Sequence, residues 1–405
     1  MRMDNKEKLH MVKVKDVALQ IRGVTFAKSD VLNHAEDGYM PVLRAGNIKD
    51  VTAAVSWKDI VYIPLKKVKK VQLLNDNDVI ISASSGSLDA IGKSAQFKSD
   101  SALCGIATFG AFLKVLRPNS VVDPRYFAYY FRTKEYRAIV SHLAAGININ
   151  NLRNQDLDNL ELYLPSLEEQ RRIVAVLDRA DAIRAKRRQI LADLDELETN
   201  LFLEFFGKCE NLIELGALII EGPANGLYRP QSDYGSGTCI LRIDGFYDGK
   251  VLLDRLKRVS IPESEMRRYG LLKGDIVINR VNSLQYLGKS ALIPDLCEPV
   301  VYESNMMRFR VDENLVLPLY VVAWLQTRNA TDQIARCAKR AVNQASINQK
   351  DVKSLRVPLP PIELQKEFAR RVEAITAARA KVERALALDD ELFAALQSRA
   401  FRGAL

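Results

Sequence analysis

Apolar positions along the chain follow two rhythms, and the pair of rhythms occurs twice. The first is short. Val42-Leu43 and Val79-Ile80-Ile81 in the first half, and Ile240-Leu241 and Ile276-Val277-Ile278 in the second, are brief apolar runs bounded by Gly and Ser. Such runs predict short strands joined by loops. A helix is predicted after each set, over 124–140 and 318–335, with Pro124 and Pro318 in the first turn. An Asn-rich loop follows (Asn148–Asn154, Asn343–Asn348), then a last short strand and a proline: Pro165, then Pro358, Pro360 and Pro361. Beyond each proline the period lengthens. In 167–204, Ile173, Ala180, Leu194 and Leu201 form a seven-residue row interrupted by Arg187, and Val176, Ile183, Ile190 and Leu197 fill a companion row three residues on. In 361–398, Val372, Leu386 and Phe393 alternate with Ile375, Val382 and Leu396, broken by Arg379 and Asp389. These heptads, with no interior Gly or Pro, predict two long helices of roughly 55 Å at 1.5 Å per residue. Each helix needs somewhere to bury its stripe. Packing the two on each other is the economical solution; the alternative folds each onto its own domain.

The two halves are copies. Gly92-Lys93-Ser94-Ala95 recurs as Gly288-Lys289-Ser290-Ala291, Asp78 as Asp275, Thr133 as Thr327, Asp156 as Asp351, Leu164-Pro165 as Leu359-Pro360 and Gln170 as Gln365. A repeat of this size is a domain plus its connector; solenoid repeats are shorter. Surface positions have diverged inside a kept frame, as expected of two readers of two different things. The predicted parts are a first domain over 1–165, a helix over 166–205, a second domain over 206–360 and a second helix over 361–405.

Composition narrows the class. The 405 residues suffice for two or three domains with their own cores. No apolar stretch is long enough for a membrane span, and residues 1–11 lack the apolar core of a secretory signal, so a cytoplasmic protein is expected. The five cysteines are scattered, without a CxxC pair, and read as reduced thiols. Net charge is +9, distributed as +6 over 1–165, +4 over 206–360, −2 over 166–205 and +1 over 361–405. The surplus lies in the two globular domains, which favours a polyanionic partner.

Catalytic signatures are missing. His10, His34 and His142 are not at ligand spacing, so no catalytic zinc is expected. No GxSxG or HExxH motif occurs. Gly92-Lys93-Ser94 is no phosphate loop, because the glycine required five positions earlier is Ser87, and Ser283 in the second copy. It reads instead as a tight turn beside a lysine able to meet a DNA phosphate. Asp123-Pro124-Arg125-Tyr126 faintly matches the Asp-Pro-Pro-Tyr motif of adenine methyltransferases, without its second proline or a Gly-rich cofactor loop.

The duplicated order of these features resembles the specificity subunit of type I restriction–modification systems, across essentially the whole chain. The most specific signal is the strand–proline–helix junction closing each basic domain, Leu164-Pro165-Ser166-Leu167-Glu168-Glu169-Gln170 and Val357-Pro358-Leu359-Pro360-Pro361-Ile362-Glu363-Leu364-Gln365. Gly274-Asp275-Ile276-Val277-Ile278 and both Gly-Lys-Ser-Ala turns also look like that family's target recognition domains. Departures are Tyr163 and Ser166 against Pro358 and Pro361, and Asn77 against Gly274.

The resemblance implies an α+β protein. Two homologous α/β target recognition domains would be joined by two long helices packed as an antiparallel coiled coil with internal pseudo-two-fold symmetry. Each domain would read half of a bipartite, asymmetric duplex DNA site. Two methyltransferase subunits carrying S-adenosylmethionine would dock on the helices and flip out an adenine. Motor–nuclease subunits using ATP and magnesium would join for cleavage. No cofactor or metal is expected in this chain, which supplies addressing and not chemistry.

Recognition physics then selects residues: Arg, Asn and Gln for base edges, Lys, Ser and backbone amides for phosphates. These are Arg44, Ser84, Ser85, Lys93, Asn148, Asn150 and Arg153 in the first domain. In the second they are Arg242, Asn279, Arg280, Asn282, Lys289, Asn343 and Gln344. Competing readings are a specificity subunit for a fused methyltransferase–nuclease partner, a standalone DNA-binding regulator, and an enzyme with a cryptic nuclease site.

Overall fold

The computed structural model describes residues 10–49, 54–85, 90–99, 106–144, 151–342 and 344–405. They form two compact units, Met1–Gln189 with Glu383–Leu405, and Ile190–Val382.

In the first unit a four-stranded antiparallel sheet runs in the order Ala18–Arg22, Leu113–Pro118, Val79–Ser82, Ser94–Gln96. A smaller sheet places Tyr39–Leu43 between Val61–Pro64 and, in parallel, Thr108–Phe109. The second unit repeats the wiring. Ile219–Asn225, Met306–Val311, Ile276–Asn279 and Ser290–Leu292 are its first four strands, continued by Gly249–Val251 and Phe246–Tyr247. Its smaller sheet places Tyr234–Leu241 between Lys257–Val259 and, in parallel, Val300–Tyr302. The central strands are unbroken apolar runs because both faces are covered. Val79 and Ile81 meet Tyr126 and Phe127 in one cluster, while Ile80 meets Phe97 and Phe109 in another. Ile276 and Ile278 likewise face Trp324, and Val277 faces Phe246.

The single helices predicted over 124–140 and 318–335 are each two. Pro124–Tyr130 is followed by Lys134–Ala144, and Pro318–Leu325 by Arg328–Cys337. The repeated threonine makes the break. Thr133 Oγ1 donates to Tyr130 O and accepts from Tyr136 N, and Thr327 Oγ1 donates to Trp324 O and accepts from Ala330 N. A side-chain oxygen that satisfies one of a helix's first N–H groups starts a new helix.

Other repeated residues are equally structural. Asp78 is fully buried, accepts from Arg117 and caps the turn at Asn75 N; Asp275 does the same with Arg310 and Leu272 N. Gln170 Oε1 accepts from Asp123 N and its amide donates to Pro165 O; Gln365 accepts from Leu317 N and donates to Pro360 O. Each glutamine thereby welds the start of a long helix to the helix pair before it. Gly92 and Gly288 have φ of +73° and +76°, and an added Cβ would lie 2.5 Å from Val140 Cγ1 or Ile334 Cδ1. Left-handed backbone and close packing both demand glycine there.

The long helices are Leu167–Phe206 and Ile362–Ala400. In the first unit Arg184 pairs with Asp390 and Arg187 with Asp389, while Arg172 reaches Leu405 O. In the second unit Arg379 pairs with Asp195, and Phe205 and Phe206 pack on Phe368. Within each unit the partners thus fall in opposite order along the two helices. The inward rows of Ile362–Ala400 are those predicted, from Val372 and Ile375 to Phe393 and Leu396. On Leu167–Phe206 the row Ile173, Ala180, Arg187, Leu194, Leu201 also faces inward. The companion row is corrected. It lies four residues on, at Leu177, Arg184, Leu191, Glu198 and Phe205, whereas Ile183, Ile190 and Leu197 are 44–48% exposed. Ion pairing lets Arg184 and Glu198 occupy the seam that aliphatic content alone assigned elsewhere.

Candidate nucleic-acid interface

Both units build the same four-segment edge at the end of the central strand. In the second unit the chain leaves Ile276–Asn279 as Arg280-Val281-Asn282. Arg280 N and Val281 N donate to Asn305 O, and Ile347 N donates to Arg280 O. In the first unit Ala83 N and Ser84 N donate to Phe112 O, and Leu152 N donates to Ala83 O. Val281 bridges Ser346 as Ser84 bridges Asn151. The fourth segment carries Arg44 and Arg242: Leu43 O accepts from Gly110 N, and Leu241 O from Glu303 N. Arg44, Ser84, Ser85, Arg153, Arg242, Arg280 and Asn282 therefore belong to corresponding edges.

Their side chains are used differently. Arg44 is exposed and donates to Asp59 O at 2.9 Å. Its counterpart Arg242 pairs with Glu303 at 3.2 Å and lies over the Tyr234 ring at 5.5 Å. Glu303 stands where the first unit has Gly110, so among the described residues this arginine has a carboxylate partner in the second unit and none in the first. Arg153 is exposed, precedes the helix Asn154–Asp158 and pairs with Asp156 at 3.1 Å. Arg280 donates to Ser304 O at 3.3 Å, while its buried Nε has no partner among the described residues. Lys93 is half-buried, with its carbonyl accepting from Ser82 N at 2.9 Å. Ser84 and Ser85 are partly exposed.

One assignment is corrected outright. Asn279 is fully buried, holding Tyr286 O at 3.4 Å while its main chain pairs with Lys289 O and Gly288 N. It is the last strand residue and no base edge can reach it; its counterpart Ser82 is also buried. Lys289, expected at a phosphate, donates to Ile243 O among three aromatic rings. Asn148, Asn150 and Asn343 lie outside the described residues.

The second edge continues into a three-stranded ribbon, Val281–Asn282, Ala345–Ser346 and Lys339–Arg340. Asn282, Ala345 and Arg340 are directly opposite one another, so Asn282 and Arg340 share a face. At the tip Gln344 is exposed and Val342 is 99% exposed. Lys339 and Arg340 are exposed and make no ion pair with a described residue. Its outer pair, Lys339–Arg340 with Ala345–Ser346, is a two-stranded ribbon, which fits the major groove. Sequence reasoning missed Lys339, Arg340 and Val342, although two adjacent basic residues just before an Asn-Gln pair were the available signal. In the first unit it missed Phe112, 68% exposed on the edge, and the exposed Lys66, Lys67, Lys69 and Lys70, of which Lys67 pairs with Asp30. Four lysines in five positions were visible in the sequence.

Among the described residues no acidic, His or Cys group is arranged to hold a metal ion, and no helix is long and apolar enough to cross a membrane. Two basic edges, alike in frame and unlike in side chains, are those of a protein that reads DNA. The family model for the type I restriction modification DNA specificity domain matches residues 6–196 and 267–387. The chain is 31% identical to the Type I restriction enzyme EcoKI specificity subunit of Escherichia coli (strain K12), over 97% of this chain and 88% of that protein. It is 30% identical, with the same coverage, to the StySPI specificity subunit of Salmonella potsdam. A solved chain from a study of complex assembly and conformational transition of the type I R-M system shares the fold. It covers 98% of both chains, with a TM-score of 0.59 at 18% identity. So does the S subunit from M. genitalium, covering 99% of this chain and 98% of that one, with a TM-score of 0.53 at 14% identity. The chain belongs to the type I restriction–modification specificity family: it is a DNA-specificity subunit, not a catalytic one.

Proposed function

We propose that this chain reads a bipartite, asymmetric duplex site, one half with each unit, and addresses adenine methylation and cleavage carried out by partner subunits. The observation that carries the reading is the recurrence of one edge frame with different side chains. Phe112 stands against Asn305, Gly110 against Glu303, and Ala83-Ser84-Ser85 against Arg280-Val281-Asn282. The reading extends to recognition domains over 1–165 and 206–360, with spacers over 166–205 and 361–405. The spacers form an antiparallel coiled coil with pseudo-two-fold symmetry that sets the gap between half-sites, a reading supported by the opposite order of the pairs Arg184–Asp390 and Arg379–Asp195 and their neighbours within each unit. Two methyltransferase subunits carrying S-adenosylmethionine dock on the spacers, and motor–nuclease subunits using ATP and magnesium join for cleavage. In this reading these cofactors belong to the partner subunits.

Base contacts fall to Arg280, Asn282, Asn343 and Gln344 with Arg340 in the second domain. In the first they fall to Arg44, Asn148, Asn150 and Arg153 with Phe112. Ser84, Ser85, Lys93 and the 66–70 lysines hold phosphates. Exchanging residues 1–165 for those of another family member tests the modular reading. One half-site is expected to change and the other to stay; a change in both, or in neither, overturns it.

A further inference from the structure

The ammonium of Lys289 is half-buried and turned onto its own unit. Nζ donates to Ile243 O at 2.6 Å and stands 3.8 Å from the Tyr247 ring centroid, 4.7 Å from Phe246 and 5.7 Å from Tyr286. Burial lowers its pKa from the ordinary lysine value, against the opposing pull of Asp244 and Asp248. Ring faces and a carbonyl take part of the surroundings that water or a phosphate would hold around an exposed lysine.

The main chain of the same residue is also committed. Lys289 O accepts from Asn279 N at 2.8 Å, and Lys289 N donates to Tyr286 O at 3.3 Å. One residue therefore joins three segments: the stretch from Ile243 to the strand Phe246–Tyr247, the end of Ile276–Asn279, and the turn Leu284–Tyr286. That turn follows Asn282, which pairs with Ala345 in the ribbon that carries Lys339, Arg340 and Gln344. The network reaches Arg242 as well, because Ile243 N donates to Glu303, the carboxylate paired with Arg242.

We propose that Lys289 is a positioning residue: a cation–aromatic clamp that holds the turn 284–286, and with it Val281 and Asn282, so that the second unit's edge meets its base pairs in one register. It is not a phosphate contact. The proposal rests on the DNA-reading function above and names the device that gives one half of it precision. Ser283 N donates to Asn282 Oδ1 at 2.8 Å, so the conformation of the clamped turn also governs how Asn282 is presented.

The two roles separate by experiment. The full chain, with methyltransferase subunits co-expressed, is used to select sites from a randomised duplex library. Binding of the selected duplex, its single-base-pair variants and random duplex is then measured across salt concentration. Lys289→Met and Tyr286→Leu are expected to reduce discrimination at base pairs of the second half-site by roughly 5- to 100-fold. Discrimination in the first half-site and the wild-type salt slope should both remain. Lys339→Met, a phosphate-type control, should lower the slope by about one. The proposal is overturned if Lys289→Met lowers the slope by about one with equal losses on selected and random DNA. It is equally overturned if Lys289→Met or Tyr286→Leu keeps wild-type discrimination. Should Lys289→Met fail to fold, Tyr286→Leu carries the test, since a phosphate role for Lys289 predicts no effect of that ring on base discrimination, and Lys289→Arg should retain it. A wild-type chain that selects no motif overturns the DNA-reading function itself, a failure read before any variant.

Discussion

Gly288 is confined twice over, by a positive φ and by Ile334 at 2.5 Å from any added Cβ. Gly288→Ala is expected to destabilise the second unit by about 2–4 kcal/mol, combining backbone strain with overpacking, measured by urea unfolding. A loss under about 0.5 kcal/mol would contradict the packing. The reading residues call for a different assay. Phe112 presents an apolar ring at the first edge, suited to a thymine methyl. Phe112→Ala should relax preference at one base pair by roughly 1–3 kcal/mol without changing the salt slope, whereas equal weakening on all sequences would exclude a base contact. Lys114 is a titrating test of the same edge. It donates to Leu152 O, and burial lowers its pKa to about 8. Between about pH 8 and the unfolded value of 10.5 the unfolded state holds the extra proton, so this lysine's unfavourable contribution fades as pH rises. Relative to Lys114→Met, the wild type should gain stability across that window, as followed by denaturant unfolding at several pH values. A flat difference would show that the ammonium is not desolvated.

The elements divide into those legible in the sequence and those hidden by it. The repeated frame is legible because its anchors are chemically hard to replace: the buried Asp78 and Asp275 each answer a half-buried arginine, and Gln170 and Gln365 satisfy main-chain groups on two elements at once. The helix breaks at Thr133 and Thr327 were equally repeated, but a single capping oxygen is weak against a continuous apolar pattern. On the first long helix a seven-residue period admits a companion row at three or four residues, and Ile183, Ile190 and Leu197 outweigh Arg184, Leu191 and Glu198 on apolar content alone. Only the pairing of Arg184 with Asp390 and of Glu198 with Lys250 reverses the balance. The corrected register predicts that Ile190→Ala leaves stability within about 0.5 kcal/mol, whereas Leu194→Ala, packed on the second unit's core, costs about 1–2 kcal/mol. Equal costs would restore the original register. The reader edges were the least legible part. Asn279 and Asn282 are the same residue type three positions apart, one inside the sheet and one on the ribbon. The rings around Lys289 come partly from a segment distant in the chain.

For the whole molecule, the proposed spacer makes length a variable. One heptad inserted in each long helix, near Arg187 and Leu386, preserves the apolar seam. It adds roughly 10 Å of rise, or about three base pairs at 3.4 Å each, and the selected gap should lengthen by that amount with both half-sites unchanged. A folded, partner-bound insertion variant that keeps the original gap would exclude the ruler. The central claim is simpler: two edges, two half-sites. Selection of sites from a fully randomised duplex library by the intact complex tests it most directly. The account predicts two short, different motifs separated by a gap of fixed length and free sequence. A single uninterrupted motif, or two identical half-sites, would contradict it.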